Sequence, residues 1–223
     1  MRSMSNGACS RSVARLLFVA GALGATACSG ATGDATTPTN GATSPNANLS
    51  SGTLGEKYFP LKDGHIYQYE TLRLGDGPPD KGMLPVRVKR TSATTGELKK
   101  GGTPQTFQLS ELGVQTQTKS GAPAFVLKMP IDPSTTWLGP LGGKTRYDAQ
   151  NQSVDSRAGH FDGCVRTIEE RGGDAPLRVA TVFCPDVGIV TLEVQSGAAV
   201  ERAELVYYGP QIEIGPDGLK RVE

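Results

Sequence analysis

Residues 163–184 read "GCVRTIEERGGDAPLRVATVFC". Two runs, 163–170 and 177–184, alternate in period two around the cluster "RGGDAP" (171–176), the pattern of two strands joined by a turn. A turn centred on Asp174 fixes the register. Cys164 then faces Cys184, and Glu170 faces Arg178 as an opposite-charge pair. Val165 faces Phe183 and Thr167 faces Thr181 on the other, more apolar face. Opposed residues in non-hydrogen-bonded pairs come close enough for a disulfide. Closing a loop of about 20 residues contributes roughly 3 kcal/mol in the chain-entropy model. The rival reading, a redox-active pair, lacks Cys-x-x-Cys spacing and a following thioredoxin-like helix.

Outward from this hairpin the same period recurs. "HIYQYETLRL" (65–74), "LPVRVKR" (84–90), "GVQTQTK" (113–119), "AFVLKM" (124–129), "GIVTLEV" (188–194) and "ELVYY" (204–208) read as strands. "GDGPPDKG", "KKGGTP", "KSGAP", "GPLGGK" and "QSGAA" punctuate them as turns. No segment after residue 53 carries a long amphipathic helical pattern. The expected fold is all-β: one antiparallel domain over 54–223, a curved sheet or open barrel, with a β-sandwich as the alternative. "PLKDGHIY" (60–67) and "PIDPSTTW" (130–137) share Pro, an aliphatic residue, a small residue four places on and an aromatic seven places on. They read as a weak internal repeat or a coincidence in a Pro-rich chain.

The amino end is of another kind. Arg2, Arg11 and Arg15 precede an uncharged stretch from Leu16 to Ala27, and no acid occurs before Asp34. Twelve residues fall short of the roughly 20 a spanning helix needs. A basic head, a short apolar centre and small residues before a cut make a secretory signal over 1–27. The site Ala25-Thr26-Ala27-Cys28 resembles the lipobox of bacterial lipoproteins, with Ala where that motif usually has Leu. The resemblance implies cleavage before Cys28 and acylation of its thiol, including palmitate, with more than one chain for a stable anchor. Ser29, which is not Asp, implies sorting to the outer membrane of a Gram-negative envelope. The alternative is an ordinary signal cut that leaves a soluble protein. Residues 29–53 are, apart from Asp34 and Leu49, all Ser, Thr, Gly, Ala, Asn and Pro, so 28–53 is expected to be the lipidated cysteine plus a flexible tether spanning roughly 25–30 Å.

The whole chain carries 23 Lys and Arg against 22 Asp and Glu. Losing residues 1–27 removes three Arg and no acid, leaving 20 against 22, a net charge of −2. That balance argues against nucleic acid as a partner. The cysteines divide simply. Cys9 leaves with the signal, Cys28 takes lipid, and Cys164 and Cys184 form a structural pair in an oxidising compartment.

Four motifs together resemble a broad group of uncharacterised bacterial lipoproteins and secreted proteins. They are "YFPLKDGHIYQY" (58–69), "MPIDPSTTW" (129–137), "AGHFDGCV" (158–165) and "FCPDVGIV" (183–190). Asp186 stands where that group usually has Gly, and "HIY" (65–67) lacks a Trp often found there. The resemblance implies a β-rich envelope domain. It brings no catalytic residues, because the group has no settled activity.

Chemistry is sparse. His65 and His160 are the two histidines, and His160 with Asp162 is too few ligands for zinc once Cys164 is paired. No Gly-x-Ser-x-Gly elbow occurs, and "GPLGGK" (139–144), which runs into Thr145 as Gly-Lys-Thr, sits between strand candidates with no helix behind it, so it reads as a turn rather than a phosphate-cradling loop. Glu169 and Glu170 fall on opposite faces of a strand and read as solvated edge residues rather than a glycosidase pair. The expectation is therefore a non-enzymatic protein with no cofactor, metal or catalytic residue. Its partners would be the membrane, through the anchor, and an envelope protein or an apolar ligand. Tyr67, Tyr69, Phe107, Phe125, Trp137, Tyr147 and Phe183 either line a cavity or make up the core. A carrier of lipid is the alternative function, and a cell-wall or glycan hydrolase the third.

Overall fold

A computed structural model describes residues 52–215 and 218–221. The signal, Cys28 and nearly all of the tether lie outside the described residues. A short helix, α1 (Leu54–Tyr58), leads into the strands. The first six are β1 (His65–Leu74), β2 (Asp80–Arg90), β3 (Thr95–Lys99), β4 (Gln105–Ser110), β5 (Gly113–Gln117) and β6 (Pro123–Lys128). The second six are β7 (Thr136–Leu138), β8 (Lys144–Ser156), β9 (Gly159–Arg171), β10 (Leu177–Cys184), β11 (Gly188–Ser196) and β12 (Ala199–Pro210). A separate hairpin, β13 (Ile212–Gly215) with β14 (Gly218–Arg221), ends the described chain.

The twelve strands form one antiparallel sheet in the order β6-β5-β4-β3-β2-β1-β12-β11-β10-β9-β8-β7. It is a nearly closed, barrel-shaped sheet, so the curved-sheet reading holds and the sandwich does not. Two six-stranded meanders are joined where β1 pairs with β12. Within each meander every strand is followed by its neighbour because the Gly- and Pro-rich turns are too short for anything but a hairpin. The "GDGPPDKG" cluster is the exception in extent, since Asp80, Lys81 and Gly82 belong to β2. "PLKDG" feeds β1 and "PIDPST" feeds β7, so the repeated segments introduce the first strand of each meander.

The founding hairpin has the expected register: Arg178↔Glu170, Thr181↔Thr167 and Phe183↔Val165. Cys164 and Cys184 are disulfide-bonded and fully buried. The tip between β8 and β9 folds back over β12. There the Ala158 N–H donates to Leu205 O at 3.3 Å, and the Phe161 ring lies edge-on to Tyr208.

α1 closes one end of the sheet. Thr53 caps it by accepting from the Glu56 N–H at 3.2 Å. Phe59, just past the helix, sits against Phe107 on β4 and Phe183 on β10, strands from opposite walls. The Tyr58 hydroxyl donates to Gly163 O at 3.0 Å and the Asp186 N–H to Lys57 O at 2.7 Å. Asp186 has φ of 63°, so it holds the left-handed turn geometry that glycine would favour, at a position Asp tolerates.

Candidate functional site

In β9 the residues Val165, Thr167 and Glu169 face the interior, and Glu170 faces out. Cross-strand pairing sets Thr145 of β8 and Val179 of β10 on either side of Glu169. Thr167 lies between Tyr147 and Thr181 in the next row. Glu169 is only 7% exposed. The reading of Glu169 as a solvated edge residue is therefore wrong. Opposite faces were the right geometry, but the sheet curls so that one of those faces becomes the interior.

The carboxylate is held by the turn "GPLGG" (139–143). Its Oε1 accepts from the Leu141 N–H at 2.9 Å and from the Gly143 N–H at 2.8 Å. Glycine is required at both ends of this turn. A Cβ on Gly139 would come within 2.4 Å of Glu169 Oε2 and 2.3 Å of Thr145 Oγ1, and one on Gly143 within 2.7 Å of Glu170 O. Burial pushes the Glu169 carboxyl above its ordinary value; the two N–H donors and the nearby Arg171 pull it partly back. Arg171 itself is engaged with Leu141 O at 3.2 Å.

Glu169 lines a cavity of about 100 Å³. Phe107, Val126, Phe183 and Leu192 form its apolar walls, and the exposed Gln117 and Lys119 stand at its mouth. A second, apolar cavity of about 40 Å³ is bounded by Tyr67, Tyr69 and Leu84. The hydroxyls of Tyr67 and Tyr69 are spent on Pro60 O at 3.2 Å and Ile189 O at 3.0 Å, which is how two buried phenols are tolerated.

The aromatics thus separate into three pairs, with Phe125 apart. Tyr67 and Tyr69 line the small cavity, and Phe107 and Phe183 the larger one. Trp137 and Tyr147 lie together where β7 and β8 approach β6, their ring centroids 5.0 Å apart. Phe125 is half-buried on β6, with the Lys128 ammonium 5.7 Å from its ring. His160 is exposed between Asp155 at 2.7 Å and Asp162 at 3.3 Å. Among the described residues no group of three or more His, Cys, Asp or Glu side chains is placed to hold a metal. Nor, among them, is any helix long and apolar enough to cross a membrane.

No protein-family model matches the chain, and no curated protein matches it. Solved structures that resemble it include two bacterial proteins. One, from Bacteroides fragilis, is a protein assigned as exported with a YmcC-like fold: 11% identity, 68% of this chain and 98% of that chain covered, TM-score 0.45. The other, from Parabacteroides distasonis, is assigned as a lipoprotein: 12% identity, 72% of this chain and 100% of that chain, TM-score 0.47. Likenesses of this extent carry no functional argument, and the reading below rests on the chain's own residues.

Proposed function

We propose that this chain is an envelope lipoprotein, moored through Cys28 to the outer membrane, whose barrel-like body is a non-enzymatic module that binds a protein or another envelope component. The observation that carries the reading is the Cys164–Cys184 disulfide. Such bonds persist in oxidising compartments, and this one sits downstream of a secretory signal and a lipobox-like cysteine. Placement in a Gram-negative outer membrane rests on Ser29, and kinship with the uncharacterised lipoprotein group rests on the four motifs from 58 to 190.

Carriage of a lipid is the second reading. A ligand-sized chamber runs to roughly 300–1,000 Å³, and cavities of about 40 and 100 Å³ fall well short of it. The test of the primary reading is membrane fractionation with fatty-acid labelling. Wild type is expected in the membrane fraction with label at Cys28, and Cys28→Ala in the soluble fraction. Membrane retention of Cys28→Ala overturns the anchor. Recovery of one stoichiometric envelope protein by crosslinking supports the binding module. Turnover of peptidoglycan or glycan by the purified protein overturns its non-enzymatic character.

A further inference from the structure

We propose that the cavity beneath the 139–143 turn binds a primary ammonium on a short apolar stem, held by Glu169 Oε2 and Thr145 Oγ1. This rests on the reading of the domain as a binding module and names the chemistry its interior accepts; it does not depend on the anchor.

Three observations converge. First, the turn satisfies only one carboxylate oxygen. Oε1 takes both backbone donors, and Oε2 has no hydrogen-bond partner among the described residues. Glu169 lines the cavity, so a donor or counter-charge placed there can pair with the unmatched oxygen. Second, Thr145 Oγ1 is buried without a partner, and it is a neighbour of Oε2: both crowd Gly139, where an added Cβ would meet them at 2.3 and 2.4 Å, and both residues line the cavity. Two acceptors side by side suit a group that is all donor, as an ammonium with three N–H is. Third, Phe107, Val126, Phe183 and Leu192 give the cavity apolar wall that suits methylenes, alongside the polar Gln105, Thr167 and Thr181.

Charge and pairing favour a cationic donor over an anion or a hydrophobe. An anion meets the carboxylate, and a neutral hydrophobe leaves Oε2 unpaired. The nearby cations do not fill the role. Lys119 is exposed at the mouth, Arg171 is engaged with Leu141 O, and neither is within ion-pair distance of Glu169. The scale fits a small ligand: a cavity of about 150 Å³ accommodates benzene, so about 100 Å³ suits an ammonium with a few carbons. A free amine and the end of a lysine side chain present the same chemistry.

The test is a ligand-observed NMR titration of the full-length chain in phosphatidylcholine nanodiscs, with empty nanodiscs as blank. The probes are n-butylamine, cationic at neutral pH, with butan-1-ol and butyrate as controls. Saturable binding of butylammonium is expected, with both controls weaker by about tenfold or more, the lower end for loss of a charged hydrogen bond. Glu169→Gln should weaken the amine by a similar factor. Its amide oxygen can still accept from Leu141 and Gly143, so the turn should survive. Should that variant fail to fold, Thr145→Val, which removes the hydroxyl at nearly constant volume, should weaken the amine but not butanol. Equal amine affinity in wild type and variant, equal affinity for amine and butanol, or no saturation by about 100 mM, the weak limit for five heavy atoms, each overturns the proposal. Nα-acetyl-lysine methylamide separates the sources: binding as tight as butylamine points to a partner's lysine, and binding of butylamine alone to a free amine. Cys28→Ala fractionation is untouched by any of these outcomes, so failure of the site and failure of the anchor are distinguishable.

Discussion

The barrel is closed twice, by different means. Between β1 and β12 the closure is backbone: a ladder from His65↔Pro210 to Leu74↔Val200, interrupted by one bulge at Gln68/Tyr69. Between β6 and β7 no ladder forms, and these strands are the two edges of the sheet. Side chains hold them instead. The Trp137 indole N–H donates to Phe125 O at 2.9 Å, and the Tyr147 hydroxyl donates to Lys128 O. The cause lies in the chain. β7 is three residues long, and Pro130 and Pro133 just before it have no N–H to give. Short strands and prolines are common ways of blunting sheet edges. One closure is therefore spread over many main-chain bonds, while the other hangs on two aromatic side chains.

The sharpest way to break this asymmetry is Trp137→Ala. It removes both the packing against Tyr147 and the bridge to β6, at an expected cost of about 3–5 kcal/mol. By hydrogen exchange, amides of β6 and β7 should lose protection well before those of β1 and β12. Equal loss at both closures would refute the distinction. Reducing Cys164–Cys184 comes next. Roughly 3 kcal/mol corresponds to a fall in Tm of about 6–12 °C in a domain this size. The disulfide sits in the second meander, away from both closures, so the order of exchange should not change. Trp137→Phe is gentler, because it deletes the indole N–H and leaves a ring. A loss of about 1 kcal/mol is expected in denaturant unfolding. A double-mutant cycle with Tyr147→Phe should show coupling, as both act on one seam.

The smallest effects are those of pH. Glu169 has a folded value raised above its ordinary 4.5, chiefly by burial. The folded state therefore holds its proton more tightly, and its contribution to stability is complete below that ordinary value and declines as pH rises through the raised one. Glu169→Gln should flatten this slope in urea titrations at stepped pH. His160 is raised first by its bond to Asp155 and then by Asp162. Its contribution is present below 6.5 and disappears as pH rises through the raised value. His160→Gln should alter only that window, and only slightly, since all three side chains are exposed.

Much of the strand order could be read from the chain because period-two patterning and Gly/Pro turns are local signals. The 163–184 hairpin even gave its own register. What escaped was set by tertiary closure. β8 reads "KTRYDAQNQSVDS", too polar for its alternation to stand out, yet it is thirteen residues long because β9 templates it. β3 and β4 flank a Gly-rich loop and carry only Leu98, Phe107 and Leu109 as large buried residues. Glu169 shares the parity of Val165 and Thr167, which the register had put on the more apolar face, so the signal of its burial was there. No local rule says that a glutamate in that row will find two backbone donors in a turn 26 residues upstream. The aromatics were recognisable as a set, but their separation into cavity walls and seam follows from which strands happen to be edges.

The docking of α1 has one more consequence. Residues 53–59 meet the barrel at the end where β10 turns into β11, whereas Gln117, Lys119 and Leu141 ring the opposite end. The molecule is therefore polar along its length. The chain enters the described fold at one end of the barrel, and the larger cavity opens at the other.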